Sequence, residues 1–290
     1  MTFTMRRATQ LVLLFILTVS CAHASEHPAQ GLVISIDAPR HTVLVSCAEI
    51  PGYMAAMEMP LLVRNPRDLV SIKPGAMIRF TLIEDHKKAY AANIQAIINF
   101  EAEPAEAGSL SALKSAVDPS FKPVEIGQTV PGFTLTDQAE KQVGLSQLRG
   151  KVVALTFGYS RCPNPNYCLR LSRNLAAVEK RFHAQAGRDL VLLTIAIDPE
   201  YDQGAALAKY AASFHADPES WHFLTGPLPQ IKKVAAAFGL DFWNTEGLLT
   251  HTLHTVVIDR EGRLAANLDG NDFTPQQLGD LVATVMQRAH

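Results

Sequence analysis

The sequence contains a single long apolar run and no basic stretch. The run, from Leu11 to Val19, is shorter than the ~20 apolar residues that a membrane-spanning helix needs. Later segments contain no second membrane segment. The net charge is −2 and becomes more acidic when the first residues are removed, since these carry two arginines and no acids. This charge argues against nucleic acid and against anionic membrane surfaces as partners.

The first segment has the order of a secretory signal peptide, predicted over residues 1–24. Arg6 and Arg7 precede the apolar run, and Ala22-His23-Ala24 forms an A-x-A cleavage site. The sequence therefore predicts an exported protein, located in a bacterial periplasm. Cys21 follows "LTVS", a weak match to a lipoprotein processing site in which Thr18 is atypical. Lipid anchoring at Cys21 is the less favoured alternative.

Cysteine is scarce: the chain has four, and cleavage after Ala24 would leave Cys47, Cys162 and Cys168. An odd number of thiols in an oxidising compartment excludes complete intrachain pairing. At least one cysteine therefore needs another explanation.

Two patterns divide the mature chain. Residues 30–99 contain short alternating segments separated by turn signals, including "LVISID", "HTVLVS" and "MIRFTLI". This pattern predicts a small all-β, OB-like barrel. Residues 100–123 lose the alternation and gain Ala, Glu, Pro and Ser, which predicts a linker.

Residues 124–290 alternate between buried strands and helices. Continuous apolar runs at 152–159 and 190–197 predict strands buried on both faces. A helix is predicted after the first of these strands. Further helices are predicted at 203–214, 229–239 and 275–288, and a hairpin around Gly262. Together these elements indicate an α/β sandwich. Thr274 and Pro275 are typical of the last helix's N-terminus.

Cys162 and Cys168 lie in a loop between a strand and a helix, within "GYSRCPNPNYC". A structural disulfide, a redox thiol pair and half of a metal site are all open. Cys168 is predicted at the helix start, where the helix dipole stabilises a thiolate, and this argument is weaker for Cys162. His251 and His254 precede a later strand, and no proline occurs between Pro229 and Pro275. Two thiolates and one imidazole would suit Cu(I).

Four motifs, in order, resemble the Sco/SenC family: "FGYSRCPNPNYC", "IDPEYDQGAALAKYAASF", "WHFLTG" and "THTLHTVVIDREG". The resemblance implies a thioredoxin-like fold over 124–290 that binds copper and helps to mature cytochrome c oxidase. It implies Cys162, Cys168 and His251 as ligands and Asp198 as an acidic residue near the site. The chain departs from the family pattern in its cysteine spacing, with five intervening residues instead of three. This departure puts the delivery target in doubt.

A second cluster of soft metal donors lies in "CAEIPGYMAAMEMP", residues 47–60. Met57 and Met59 would share one face of a strand, and thioether sulfur suits Cu(I), although methionine also fills cores. With "IKPGAMIRFTLI", the segment resembles small periplasmic copper-binding barrels of the CusF type. The resemblance places Met57 and Met59 at the methionine ligands and Cys47 at the histidine ligand. Met54, a further candidate ligand, or Tyr53 falls near the tryptophan position.

These observations predict a two-domain periplasmic copper protein, a metallochaperone rather than an enzyme. Cu(I) is expected to pass along the linker from the barrel to the thioredoxin-like domain and then to an acceptor protein. A cytochrome c oxidase subunit is the candidate acceptor, and a periplasmic thiol reductant is a second expected partner. The alternatives are a thiol-disulfide oxidoreductase that reduces the acceptor's cysteines and a copper-buffering or tolerance protein. A thiol peroxidase has less support.

Overall fold

The computed structural model describes residues 25–85, 88–97, 122–245 and 248–288. The predicted signal peptide with Cys21 and nearly all of the predicted linker lie outside the described residues. No helix in the described part of the chain combines the length and the apolar character needed to cross a bilayer.

The N-terminal domain is a closed five-stranded barrel with strand order β1-β2-β3-β5-β4. Its strands are β1 Ser25–Asp37, β2 Thr42–Cys47, β3 Met57–Val63, β4 Met77–Asp85 and β5 Lys88–Ala96. The alternation of the sequence sends every second side chain into the barrel, where residues such as Val33, Val45 and Leu61 form one core. The predicted all-β barrel is confirmed.

The C-terminal domain is a seven-stranded sheet with strand order β14-β13-β8-β9-β10-β6-β7. Its strands are β6 Thr134–Asp137, β7 Gln142–Gly144, β8 Val152–Gly158, β9 Leu190–Ala196, β10 Trp221–Thr225, β13 His254–Ile258 and β14 Leu264–Asp269. A separate hairpin pairs β11 Phe242–Thr245 with β12 Leu248–His251. The helices are α1 Cys168–Arg181, α2 Gly204–Ala212, α3 Leu228–Ala237 and α4 Pro275–Gln287.

This domain confirms the predicted α/β fold, because β8 and β9 are parallel and every residue of both strands is buried. The predicted hairpin is formed by β13 and β14. Helix α4 begins as its sequence predicts: the Thr274 side chain accepts a hydrogen bond from the Gln277 N–H, and the Gln277 side chain accepts one from the Thr274 N–H. This reciprocal capping satisfies two of the donors that a helix start leaves unpaired.

The two domains share a hydrophobic core. Leu32 and Ile34 of the barrel are fully buried in the same cluster as Leu278 and Leu281 of α4. Burying one such side chain contributes roughly 1.5–3 kcal/mol. At the loop before β4, a side chain on Gly75 would collide with the backbone of Asn267 at the end of the sheet. The barrel is therefore docked on the second domain, whereas the sequence predicted only a linker between them.

Candidate metal centres

The cysteine loop begins where the buried strand β8 ends at Gly158, and it closes at Cys168, the first residue of α1. A Cβ on Gly158 would lie 3.3 Å from the Cys168 Cβ and 3.5 Å from its Sγ. Glycine at this position therefore gives the Cys168 side chain its space. Cys168 is 2% exposed, while Cys162 is partly exposed.

Cys162 and Cys168 are free thiols that lie close enough to shift each other's pKa. Interaction with Cys168 lowers the pKa of Cys162 to about 6. The same interaction, together with burial, raises the pKa of Cys168 well above its ordinary value. The prediction that Cys168 carries the more stabilised thiolate is therefore wrong. Burial of Cys168 outweighs the helix dipole, so its thiol stays protonated beside the more exposed Cys162.

His251, at the end of β12, meets the thiol pair directly. Its Nε2 lies 3.4 Å from the Cys168 Sγ, and its Nδ1 lies 2.8 Å from the carbonyl oxygen of Thr252. Because a carbonyl oxygen only accepts, Nδ1 carries the proton and Nε2 keeps its lone pair. Burial lowers the pKa of the imidazole, which favours the neutral form. His251 thus presents a ligand nitrogen to the cysteine loop.

His254 is oriented away from this arrangement. Its Nδ1 lies 3.0 Å from both Asn267 Oδ1 and Asp269 Oδ1, on the neighbouring strand β14. Of the two histidines that the sequence offered, the structure brings His251 to the cysteines.

The donors Cys162, Cys168 and His251 fit a soft, low-coordinate ion such as Cu(I) in their chemistry. Among residues 25–85, 88–97, 122–245 and 248–288, however, no three His, Cys, Asp or Glu side chains already surround one point closely enough to hold a metal. Cys168 contacts the His251 Nε2 at 3.4 Å and interacts with the Cys162 thiol. Binding would replace the contacts of the Cys168 Sγ with bonds to a shared ion.

Tyr159 is a supporting residue that sequence reasoning missed. Its hydroxyl donates to the carbonyl oxygen of Leu249 at 2.8 Å, and its ring meets the edge of the His251 ring at 6.0 Å between centroids. Tyr159 therefore ties the hairpin that carries His251 to the cysteine loop. A tyrosine three residues before a cysteine was the available signal.

A buried carboxylate, Asp202, fixes the start of the loop. It is fully buried, and its oxygens accept hydrogen bonds from the Ser160 N–H and from the Ser160 hydroxyl. Asp198, predicted near the site, instead pairs with Arg161 at 2.6 Å. The Arg161 guanidinium also lies over the Tyr201 ring. Asp198 thus borders the site through the neighbour of Cys162, and Asp202 holds the loop more directly.

The second candidate centre lies on the ladder between β2 and β3. The register pairs Cys47 with Met57 and Val45 with Met59. Directly paired side chains share a face, with Cβ atoms about 4.5–5.5 Å apart. Cys47 is 1% exposed and Met57 is 48% exposed, so the cluster runs from the barrel interior to its surface. The structure brings all three predicted soft donors to one face.

Cys47 is confined by its neighbours. Gly31 of β1 pairs with it, and a Cβ on Gly31 would lie 2.7 Å from the Ser46 carbonyl oxygen. Burial raises the pKa of Cys47 to about 12, so the thiol is protonated without a cation. A monovalent soft cation would neutralise the thiolate, and the pair would tolerate the low dielectric. The donor set therefore fits Cu(I).

The hairpin that links β2 and β3 places Met54 partly buried against the barrel core. Tyr53 stacks on His27 with ring centroids 3.6 Å apart and an interplanar angle of 20°. The Tyr53 ring is thus engaged in stacking on His27, and Met54 is the candidate for an additional soft donor.

Helix α4 connects the two centres. At its first turn, Gln276 Nε2 donates to the carbonyl oxygen of Ala56 at 3.2 Å, beside Met57. In the loop that leads into α4, the Asn271 side chain donates to the carbonyl oxygen of Asn166, within the cysteine loop. Helix α4 and the loop before it therefore contact the segments that carry both centres.

Comparison with known proteins gives two family matches. The model described as SCO1/SenC matches residues 123–287, and the model described as Copper binding periplasmic protein CusF matches residues 26–96. The boundary between the two matches falls in the predicted linker.

Among similar proteins, the SCO1 protein homolog of Bacillus subtilis is 26% identical over 160 residues, which cover 54% of this chain and 80% of the relative. The SCO2-like protein RT0576 of Rickettsia typhi is 27% identical over 147 residues, covering 48% and 68%. A SCO1/SenC family lipoprotein from Bacillus anthracis has a solved structure with a TM-score of 0.50 and 24% identity. The match covers 57% of this chain and 98% of that one, and it shows the thioredoxin-like fold.

Proposed function

The chain belongs to the SCO1/SenC family, and from this premise we propose that it is a periplasmic protein that acquires Cu(I) and delivers it to an acceptor protein. The metal is copper, since the barrel is a CusF-like copper-binding domain and both donor sets are soft. The observation that carries the proposal is the 3.4 Å contact of the neutral His251 Nε2 with the Cys168 Sγ, beside the free thiol of Cys162.

Two sites would bind Cu(I) one after the other. Cys47, Met57 and Met59, with Met54 as an additional candidate, would take Cu(I) first, because Met57 is exposed at the barrel surface. Cys162, Cys168 and His251 would receive it next. The contacts of α4 and its preceding loop with the segments that carry both centres support transfer within the chain. Transfer along a free linker is not required, since a docked domain already raises the effective concentration of one site at the other.

Release would proceed by ligand exchange with an acceptor, for which we propose a cytochrome c oxidase subunit. Copper stays Cu(I) in this exchange. Control would come from the thiols: when the Cys162 thiolate and the Cys168 thiol close a disulfide, two electrons pass to an oxidised disulfide partner, whose two new thiols take the Cys168 proton and one proton from solvent. A periplasmic thiol reductant would return two electrons and restore the ligands.

One observation favours a second function. The pKa of Cys162 is lowered to about 6, so this partly exposed thiol is a thiolate at neutral pH, with a protonated thiol beside it. Thiolates of this kind perform thiol–disulfide exchange. The second candidate is therefore a reductase of the acceptor's cysteines, acting through Cys162.

The deciding experiment is the Cu(I) stoichiometry of reduced residues 25–290, measured anaerobically against a competing chelator. We expect two tightly bound equivalents. We expect one bound equivalent to be lost in the double variant Cys162→Ser/Cys168→Ser. The other should be lost in the double variant Met57→Leu/Met59→Leu. Absence of bound copper in a chain that still reduces a partner disulfide would refute delivery and leave the reductase.

A further inference from the structure

The ladder of β2 and β3 has two faces with different contacts. Ser46 pairs with Glu58, between the pairs Cys47–Met57 and Val45–Met59. Successive side chains of a strand point to opposite faces. The candidate ligands therefore share the inward side of the ladder, with Met57 at its exposed edge, and Ser46 and Glu58 face outward from the same two strands.

The outward face is held by helix α4. The Ser46 hydroxyl donates to Asp280 Oδ2 at 2.7 Å, and Gln277 Nε2 donates to the Ser46 carbonyl oxygen at 3.0 Å. Both bonds are buried. On the partner strand, Glu58 lies beside Asp280 and Thr284 of the same helix. Helix α4 thus contacts both strands on the face opposite the candidate ligands.

The groups on α4 are themselves fixed. Asp280 is paired with Arg181 at 2.8 Å, at the end of the helix that Cys168 begins. Gln277 also completes the reciprocal cap with Thr274. A shift of Ser46 by even one ångström would leave buried hydrogen-bonding groups unpaired, which costs about 1–3 kcal/mol each. The ladder is therefore positioned by a rigid external frame.

Support for Cys47 from inside the barrel is slight by comparison. Within the described residues, the Cys47 thiol donates one hydrogen bond, to the Val45 carbonyl oxygen at a long 3.9 Å. Groups behind metal ligands set their orientation, and losing them commonly weakens metal binding 10–100-fold. The contacts with α4 are the contacts that can perform this role for the barrel.

We propose that helix α4 of the thioredoxin-like domain positions the metal ligands of the barrel, with Ser46 as the main positioning residue. The inference rests on the proposed barrel site. It makes the copper affinity of one domain depend on docking to the other, so the barrel within the full chain is a tighter site than its ligands alone would provide.

The test uses the full mature chain with Cys162→Ser and Cys168→Ser, so that the barrel holds the remaining proposed site. Cu(I) affinity is measured anaerobically by chelator competition. Adding Ser46→Ala should weaken binding about 10-fold. Gln276→Ala, which removes the exposed contact with Ala56, should weaken it about threefold. Urea unfolding verifies that each variant is folded.

Lys73→Ala is the matched control, since it breaks another contact between the domains, to Asp269 at 4.0 Å, away from the ligand strands. It should leave the affinity within about twofold. Unchanged affinity in folded Ser46→Ala and Gln276→Ala would overturn the inference, and so would equal losses in Ser46→Ala and Lys73→Ala. A starting chain that binds no Cu(I) would instead refute the barrel site itself.

Discussion

The two candidate centres are built in different ways from similar soft donors. Cys162, Cys168 and His251 come from a loop, a helix start and a hairpin, and side-chain hydrogen bonds hold these segments together. Cys47, Met57 and Met59 come from one ladder, whose register alone brings them to one face. The first centre depends on a local polar network, and the second depends on strand pairing supported from behind by another domain.

The difference extends to the state of the thiols. Cys162 interacts with the Cys168 thiol, and its pKa falls to about 6. Cys47 has an apolar surrounding, and its pKa rises to about 12. The loop centre is therefore ready for exchange with a partner, whereas the barrel centre would release a proton when it takes up copper.

The largest predicted difference between the two centres is the reactivity of Cys162 and Cys47 in the reduced, metal-free chain. At pH 7 Cys162 is mainly thiolate and Cys47 is about one part in 100,000 thiolate. The lower nucleophilicity of a low-pKa thiolate offsets roughly 1,000-fold of this difference. Iodoacetamide should therefore alkylate Cys162 at least about 100-fold faster than Cys47, as measured by peptide mass spectrometry.

The pH profile of that reaction provides its own control. The rate at Cys162 should level off above pH 7 and fall as the pH drops through about 6. A midpoint near 9, or faster labelling of Cys168 than of Cys162, would contradict the assigned roles of the two thiols.

The second effect is the loss of the imidazole ligand. In a chain with Met57→Leu and Met59→Leu, His251→Gln should weaken Cu(I) binding on the order of 100-fold, or ~2.7 kcal/mol. The matched control is His254→Gln, because His254 lies three residues later and bonds Asn267 and Asp269 instead. An equal loss in both variants would show that the hairpin's stability, and not ligation by His251, sets the affinity.

Sequence patterns predict most of the architecture, because alternation and continuous apolar runs indicate which faces of a strand are buried. The closed barrel and the start of α1 at Cys168 followed from such local signals. The docking of α4 on the barrel could not follow, since Ser46 and Asp280 are 234 residues apart in the chain. Asp202 was missed for the same reason, because its role is visible only once Ser160 lies beside it.

The pKa order of the two cysteines also lay beyond the sequence. The helix start at Cys168 was predicted correctly, and the dipole argument drawn from it was sound in isolation. Burial raises the pKa of Cys168: Gly158 leaves space for its side chain, which is only 2% exposed, and burial disfavours ionisation. Burial of a single thiol depends on tertiary contacts that a local motif does not encode.

The smallest effect concerns the network that distinguishes the loop centre. Tyr159→Phe removes the hydroxyl that donates to the Leu249 carbonyl oxygen, while the ring stays against His251. We expect the free energy of unfolding to fall by about 1 kcal/mol and Cu(I) affinity at this centre to fall about 10-fold. Chelator competition and urea unfolding measure the two quantities on the same samples.

Tyr210→Phe is the matched control, because it removes a hydroxyl that contacts Ser172 in the same domain. It should lower the free energy of unfolding by a similar ~1 kcal/mol and leave the copper affinity unchanged. Affinity losses that follow stability equally in both variants would show that the two centres do not differ in local support. A loss confined to Tyr159→Phe would show that the loop centre depends on its hydrogen bonds, as the barrel centre depends on α4.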